Sequence, residues 1–459
     1  MLKTHSGSLA GSRTEKSVAV LLLLFFMEAL VPFLIEVSWL PPHLGKNIER
    51  LLAVAVLFVS ILLVARCRQQ VWRLVKQEKW LWILVGLAVV SPLWSYAPEM
   101  TLRRLIYLLN ATLFGIYLAA RYGSRERLRL LAWAFGIAAA LSLAFALLLP
   151  GYGIMGVGHI ENPEHLKHLG AWRGVFQHKN ILGRTMVFGG LVFFFVARSS
   201  RQNAWIAWTG LSLCVAITLA STSKSALVVL VAGVALWLFY RALQWSYTTW
   251  GLPVLSATLA LGSGITALLA LNVETILAAM GRDLTLSGRT GLWAAVLDKL
   301  WERPWLGYGY GGFWLNSEGG AATDVWLQIG DTVPHGHNGF LDLAVNLGLL
   351  GGLAFALSFG VACVRAIRLV RHSQRPERFF PLAYLLFFGL INIPESALLR
   401  PDSSLFWLLY VAVTLSLHES LSSQLDASQP WQQGEEEAER ELVGAGWQGG
   451  TASRSIDRD

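Results

Sequence analysis

Apolar runs of membrane-crossing length recur along the whole chain, and they restrict its possible folds more than any other feature. A helix needs ~20 mainly apolar residues to cross the hydrocarbon core of a bilayer, where every backbone N–H and C=O must be satisfied within the segment. Such runs lie at 17–36, 50–66, 80–96, 103–120, 128–150, 180–198, 203–220 and 224–241, and again at 251–272, 338–364, 379–398 and 402–418. The pattern predicts an all-α polytopic membrane protein with about 12 transmembrane helices.

Composition agrees. Only 14% of the 459 residues are charged and 54% are hydrophobic, whereas a soluble domain carries about a quarter charged residues. The net charge of +8 would suit a nucleic-acid binder, but the basic residues fall in short clusters between apolar runs. That is the pattern of membrane orientation, so the lipid bilayer is expected as a partner and nucleic acid is not. The three cysteines show no CxxC or Cys/His spacing, so neither a disulfide framework nor a structural zinc site is expected.

The loops orient the plan. Arg66, Arg68, Arg73, Lys76 and Lys79 lie in one loop, Arg121, Arg125, Arg127 and Arg129 in a second, and Arg365, Arg368, Arg371, Arg375 and Arg378 in a third. These are alternate loops if the N-terminus is cytoplasmic, and an even number of spans returns the C-terminus to the same side. The first run, with no small-residue cleavage site before Pro41-Pro42, reads as an uncleaved first span, with a removed signal peptide as the alternative. Residues 1–272 then hold helices 1–9 with an outer loop at 151–179, residues 273–337 a large, partly helical periplasmic loop, and residues 338–418 helices 10–12. The tail 419–459 holds nine acidic and three basic residues and reads as disordered and cytoplasmic. Trp80, Trp82, Trp94, Trp205 and Trp208, near span ends, read as interfacial anchors.

Three polar segments fall on the expected outer face, where basic residues are normally scarce. The first is Arg173-Gly174-Val175-Phe176-Gln177-His178-Lys179-Asn180, leading into a span that also contains Arg184. Its cations, with the helix N-terminus behind them, suit an anionic group such as phosphate. The second is Ser287-Gly288-Arg289 with Trp293, followed by the Gly-rich, aromatic stretch Pro304–Trp314 around Tyr308. Arg289 offers bidentate contact to phosphate oxygens, and the glycines and rings suit close approach to a sugar. The third is His335-Gly336-His337-Asn338 at a span entrance, where a histidine can serve as general base near neutral pH. No carboxylate at ligand spacing accompanies the two histidines, and no metal is expected. Glu28, Arg184 and Asp342 inside spans are further functional flags, and Ser221, Ser223, Lys224 and Ser225 form another outer polar knot.

Together, the GVFxHKNxLG-like string at 174–183, Ser287-Gly288-Arg289 with Trp293, Pro304–Trp314 and His337-Asn338-x-x-Leu341 resemble the O-antigen ligase/polymerase superfamily. The His178-Lys179-Asn180 string looks most like its ExoQ-type, Wzy-type exopolysaccharide polymerases. The resemblance implies a glycosyltransferase of GT-C-type architecture acting on undecaprenyl-pyrophosphate-linked oligosaccharide, with no nucleotide sugar, metal or other cofactor. It implies His337 as the base that activates an acceptor hydroxyl, and Arg173 and Arg289 as pyrophosphate ligands. His178, Lys179, Asn180, Arg184, His335, Asn338 and Tyr308 remain substrate-binding candidates. Chain-length regulators and export proteins are the implied partners. A ligase that moves a finished glycan onto lipid A core or protein would use the same residues. A membrane transporter, with the charges at 28, 184 and 342 lining a path, is the reading from another class.

Overall fold

The computed structural model of the protein describes residues 12–29, 42–157, 168–199, 202, 204–245, 289–315, 320–371, 375–400 and 404–428. The expected span at 251–272, residues 30–36 of the first run, Ser287-Gly288 and most of the acidic tail lie outside the described residues.

Among the described residues the regular structure is helical, apart from one antiparallel bridge between Ile154 and Trp172. The chain forms α1 (Arg13–Phe26), α2 (Pro42–Arg66), α3 (Arg68–Val75), α4 (Lys79–Val90), α5 (Pro98–Arg121), α6 (Ser124–Leu148), α7 (Lys179–Ser199), α8 (Ala204–Ala220) and α9 (Lys224–Trp245). It continues with α10 (Arg289–Glu302), α11 (Thr323–Ile329), α12 (Gly339–Arg371), α13 (Phe380–Ile391) and α14 (Leu405–Ser428). Five helices are long and apolar enough to cross a membrane: Asn47–Arg66 within α2, α5, α6, α7 and α12. Shorter apolar helices follow the other runs at Lys79–Leu93, Ala204–Ala220, Lys224–Val234 and Leu405–Leu417. This is a multi-pass membrane protein.

The bundle is built around α7, which is buried along most of its length. Phe188, at its middle, packs edge-on against Phe135 of α6, Tyr384 of α13 and Phe406 of α14. By contrast, α2 is largely uncovered by protein, with Leu51, Val54, Phe58 and Leu62 exposed. An apolar surface of that kind suits contact with lipid.

Two elements depart from uninterrupted spans. The run at 379–398 is expected to be a helix throughout, but α13 ends at Ile391. Pro394 cannot continue a helix. The buried Asn392 side chain instead accepts from the backbone N–H groups of Ala397 (2.9 Å) and Leu398 (2.7 Å), folding residues 392–400 into an irregular strap. Non-helical backbone at membrane depth is tolerated when protein surrounds it, and Glu395 to Leu399 are all buried.

The second departure is in α12, where Gly348 (φ 68°, ψ −171°) breaks the helical path. The freed N–H of Leu349 donates to the carbonyl of Pro304 (2.7 Å) and that of Leu350 to Trp305 (3.3 Å). The 304–306 segment thus caps the second half of α12. That half holds ~23 residues and is ~34 Å long, enough to cross a bilayer by itself. The first half belongs to a small packed layer with α10 and α11, whose core includes Leu292, Val296, Phe313, Trp314, Val325 and Val345.

Charge separates the two ends of the bundle. At one end Arg121 pairs with Glu15 (2.7 Å), Lys16 with Glu126 (2.6 Å), Arg125 with Glu377 (2.5 Å) and Arg365 with Glu78. The loops read as basic from sequence are therefore physically together. Residues 289–315, the 335–338 turn and the 392–400 strap gather at the other end. Trp94 is not simply an interfacial anchor: its Nε1–H donates to the Leu306 carbonyl (3.0 Å), tying the α4–α5 connection to the 304–306 segment. Trp205 and Trp208 at the start of α8 are exposed, as an interfacial belt requires.

Candidate active site

The strap at 392–400 brings the polar motifs together. Glu395, buried at its centre, accepts from Asn180 Nδ2 (3.1 Å) and Ser225 Oγ (3.1 Å), and its Oε1 lies 3.9 Å from Arg289 Nη2. Arg289 Nη1 also donates to the Pro394 carbonyl (2.8 Å). Ser223 Oγ donates to Asn180 Oδ1 (3.0 Å). One carboxylate therefore joins the start of α7, the start of α9 and the start of α10. These segments lie far apart in sequence, and three helix-terminal polar groups, Asn180, Ser225 and Arg289, meet on it.

The 335–338 turn is fixed from the other side of the strap. Asp342, one turn into α12, accepts from Trp314 Nε1 (2.7 Å), from the Gly336 N–H (2.9 Å) and from Ser396 Oγ. Trp293 of α10 donates from Nε1 to the Gly336 carbonyl (2.9 Å). Asn338 caps α12, its Oδ1 accepting from the N–H groups of Phe340 (3.0 Å) and Leu341 (3.2 Å), as N-caps do. Expected as a substrate contact, Asn338 here has a visible structural task. Gly339 presses directly on Asn392, and its N–H donates to the Asn392 carbonyl (2.8 Å).

The two histidines are held differently. The rings of His335 and His337 lie 4.1 Å apart, and His335 Nδ1 accepts from the His337 N–H (3.2 Å). A neutral His335 thus carries its proton on Nε2. His337 has φ 48°, a left-handed conformation uncommon for a residue with a side chain, and its Nδ1 is buried without a hydrogen-bond partner among the described residues. Burial pushes the His337 imidazole down to about 4; Glu395 opposes this, and Arg289, Arg400 and Arg184 add to it. His335 is pushed well below its ordinary value, by burial first and then by Arg400. Both rings are therefore neutral near pH 7, as a proton acceptor must be.

Arg173 is placed by a separate device. It lies in a short ribbon where Arg173 N–H and Gly174 N–H both donate to the Gly153 carbonyl (2.9 and 3.0 Å). Its buried guanidinium donates from Nε to the Tyr152 carbonyl (2.7 Å). Gly174, at φ 56°, has no room for a side chain against Ser142 of α6. His178 Nδ1 accepts from the Asn180 N–H (3.2 Å), and its ring meets that of His168 edge-on at 5.5 Å. Lys179 opens α7. Arg184 is buried on the same helix, with its guanidinium 5.9 Å from the Phe406 ring.

Tyr308 goes elsewhere. Its hydroxyl donates to Glu302 Oε2 (2.8 Å), its ring is buried in the core around α10, and burial with the Glu302 carboxylate pushes its phenol up to about 12. The glycines around it serve close packing: Gly309 (φ 89°) lies against Ser95, and Gly311 (φ 64°) against Arg104. The Pro304 and Trp305 carbonyls of this stretch cap the second half of α12, and Tyr308 packs into the core beside it.

Sequence reasoning missed Glu395, Asn392 and Arg400. The signal was present: Asn392-Ile393-Pro394-Glu395-Ser396 is a polar string with a proline inside an otherwise apolar run, and a carboxylate at membrane depth is a functional flag.

Known proteins point the same way. The O-antigen ligase family matches residues 209–356 of the chain, which include Arg289, His335, His337 and Asn338 but neither Arg173 nor Glu395. The exopolysaccharide production protein ExoQ of Rhizobium meliloti (strain 1021) is 27% identical over 321 residues, covering 67% of this chain and 70% of that protein. Both similarities support the resemblance to the O-antigen ligase/polymerase superfamily and, within it, to ExoQ.

Proposed function

We propose that this chain, similar to O-antigen ligases and to an exopolysaccharide production protein, polymerises undecaprenyl-pyrophosphate-linked oligosaccharide repeat units at the outer face of the bacterial inner membrane, with both termini cytoplasmic. The observation that carries the reading is the meeting of Asn180, Arg289 and Ser225 on Glu395, in electrostatic range of a half-buried, neutral His337. Lipid-linked glycosyl transfer needs a proton acceptor for a hydroxyl and cations for a departing pyrophosphate, together in a site shielded from water.

In this mechanism an acceptor hydroxyl gives its proton to His337 as its oxygen attacks the anomeric carbon. The bond from that carbon to the pyrophosphate oxygen breaks, and the electron pair leaves with the undecaprenyl pyrophosphate. Attack from the face opposite the leaving group inverts the anomeric centre. Arg289 and Arg173 take up the charge that develops on the pyrophosphate, and Glu395 holds Arg289 in place before substrate arrives. No metal is needed where two guanidiniums balance that charge. The layer of α10 and α11 covers the sugars, while the apolar bundle receives the polyprenyl chain. Transfer of a glycan to lipid A core or protein is the second reading, favoured by the O-antigen ligase match over 209–356.

Purified protein in detergent, given a lipid-linked repeat unit, is expected to release undecaprenyl pyrophosphate and form a glycan ladder. Transfer only to an added acceptor would select the ligase reading, and neither product would reject glycosyl transfer. Arg289→Ala is expected to lower the rate of pyrophosphate release ~10²–10³-fold, the usual effect of deleting one donor to a developing anion.

The low proton affinity of His337 gives a pH prediction. A base is active when unprotonated, so the acid limb of kcat/KM is expected near pH 4 instead of near the ordinary histidine value of 6.5. Glu395 is the influence that raises the His337 value, so Glu395→Gln should move the acid limb further down. A pH profile for that variant shifted upward would contradict this arrangement.

A further inference from the structure

Beside the histidine pair, on the side of His335, lies a cavity of about 50 Å³ that the mechanism above does not use. On the measure that a single water needs roughly 10–15 Å³, it holds the volume of ~3–5 waters, the polar end of one sugar residue and not an oligosaccharide. Its wall includes the guanidinium residues Arg104 and Arg400, the aromatic residues Tyr310 and Trp314, His335 and Asn346.

We propose that this cavity binds the acceptor by a sugar residue carrying a carboxylate, with Arg104 and Arg400 on the carboxylate and Asn346 on a ring hydroxyl. The inference rests on the glycosyl-transfer reading and extends it to the acceptor's chemistry. Four observations support it. Arg104 and Arg400 come from helix α5 and from the strap, so two separate elements place cations on one small cavity. The carboxylate in the wall, Asp342, already accepts from Trp314, Gly336 and Ser396, and against its single charge the two arginines leave the wall with a positive balance. Asn346 donates from Nδ2 to the Asp342 carbonyl (2.6 Å), while its Oδ1 is buried and accepts no hydrogen bond among the described residues; a sugar hydroxyl would satisfy it. Finally, His335 forms part of the wall and its ring is 4.1 Å from that of His337. A sugar seated here therefore presents its neighbouring hydroxyls one imidazole away from the proposed base. The pyrophosphate, in contrast, belongs on the Arg289 side, next to Glu395. Donor and acceptor approach the histidine pair from different directions, as in-line displacement requires.

The test reads binding without turnover. Methyl glucuronoside and its neutral counterpart, methyl glucoside, are titrated into the full-length protein in detergent, with Trp314 in the cavity wall serving as the fluorescent reporter alongside calorimetry. Wild type is expected to bind the glucuronoside at least tenfold tighter than the glucoside, and Arg400→Gln and Arg104→Gln to abolish that preference, because each removes a charge-assisted bond to the carboxylate. Arg400→Lys, which keeps the charge, is expected to retain part of it. A monodisperse elution profile identical to wild type shows that a variant is folded. Equal binding of the two glycosides by wild type, no saturable binding of either, or a preference that survives both Gln variants would each overturn the assignment. Because no donor is present, these results are independent of whether glycosyl transfer is later observed. Loss of transfer in wild type would sink the functional reading but leave a carboxylate-selective site standing.

Discussion

His337→Ala is expected to slow glycosyl transfer by ~10²–10⁴, the range for losing a positioned general base, while the protein remains folded in the membrane. The side chain makes little visible contribution to the fold: its Nδ1 has no partner among the described residues, and the turn is held by Asp342, Trp293 and Asn338 instead. Its backbone is another matter, since φ is 48°. Alanine there carries the usual left-handed cost of ~1–2 kcal/mol, already present in wild type. His337→Gly removes that cost along with the imidazole. If the ring is the base, the Ala and Gly variants are equally inactive. A Gly variant with near-normal rates of pyrophosphate release would show that the position matters for its backbone alone. The neighbouring His335 supplies an internal comparison. Its Nδ1 is occupied by the His337 N–H, so His335→Ala is expected to be milder.

Gly348→Ala is expected to be the most damaging single change to the fold. Gly348 has φ 68°, and an added methyl would overlap the carbonyl of Trp305. The left-handed penalty and the overpacking each cost roughly 1–3 kcal/mol, and relieving the clash means moving the 304–306 segment off the N–H groups of Leu349 and Leu350. A buried donor without a partner costs about 1–3 kcal/mol more. The sum is comparable with the whole stability of many domains. Fluorescence-detected size exclusion after heating should show the variant aggregating well below wild type. A variant as heat-stable as wild type would mean that the break in α12 is not held by this contact. Gly352→Ala, one turn on, where no neighbouring atom lies within 4 Å of the added carbon, is the matched control.

The helices were legible in the sequence because lipid makes hydrophobicity and length nearly sufficient evidence. The runs at 103–120, 128–150 and 180–198 reappear as α5, α6 and α7 with small shifts at their ends. The basic loops were legible too, since charge at span ends follows one rule and the ion pairs among them join the same loops. What hydropathy could not show is where an apolar run stops being a helix. The run at 379–398 is apolar enough on average to pass as a span, yet beyond Ile391 one asparagine side chain replaces helical bonding. The same blindness hid Glu395. The Gly-rich stretch at 307–312 shows another limit of composition. Glycine permits close approach, but composition does not say to what, and here the partners are Ser95 and Arg104 of the protein itself. Arg289 and Asn180 could be named individually from sequence; that they share a carboxylate could not.

The ion pairs at the basic end have a consequence for lipid dependence. A guanidinium held by its own glutamate has little left to offer an anionic headgroup. Arg121, Arg125, Arg365 and Lys16 are engaged in this way. Arg68, Arg73 and Lys76 are exposed instead, on or beside the eight-residue α3, and the Lys76 ammonium sits 4.7 Å from the ring centre of the exposed Trp72. The positive end of the bundle is thus divided between fasteners and feelers. Its response to acidic phospholipid should pass through exposed cations such as these, at about 1 kcal/mol for each one near the surface, while the fastened arginines stay indifferent to the lipid around them.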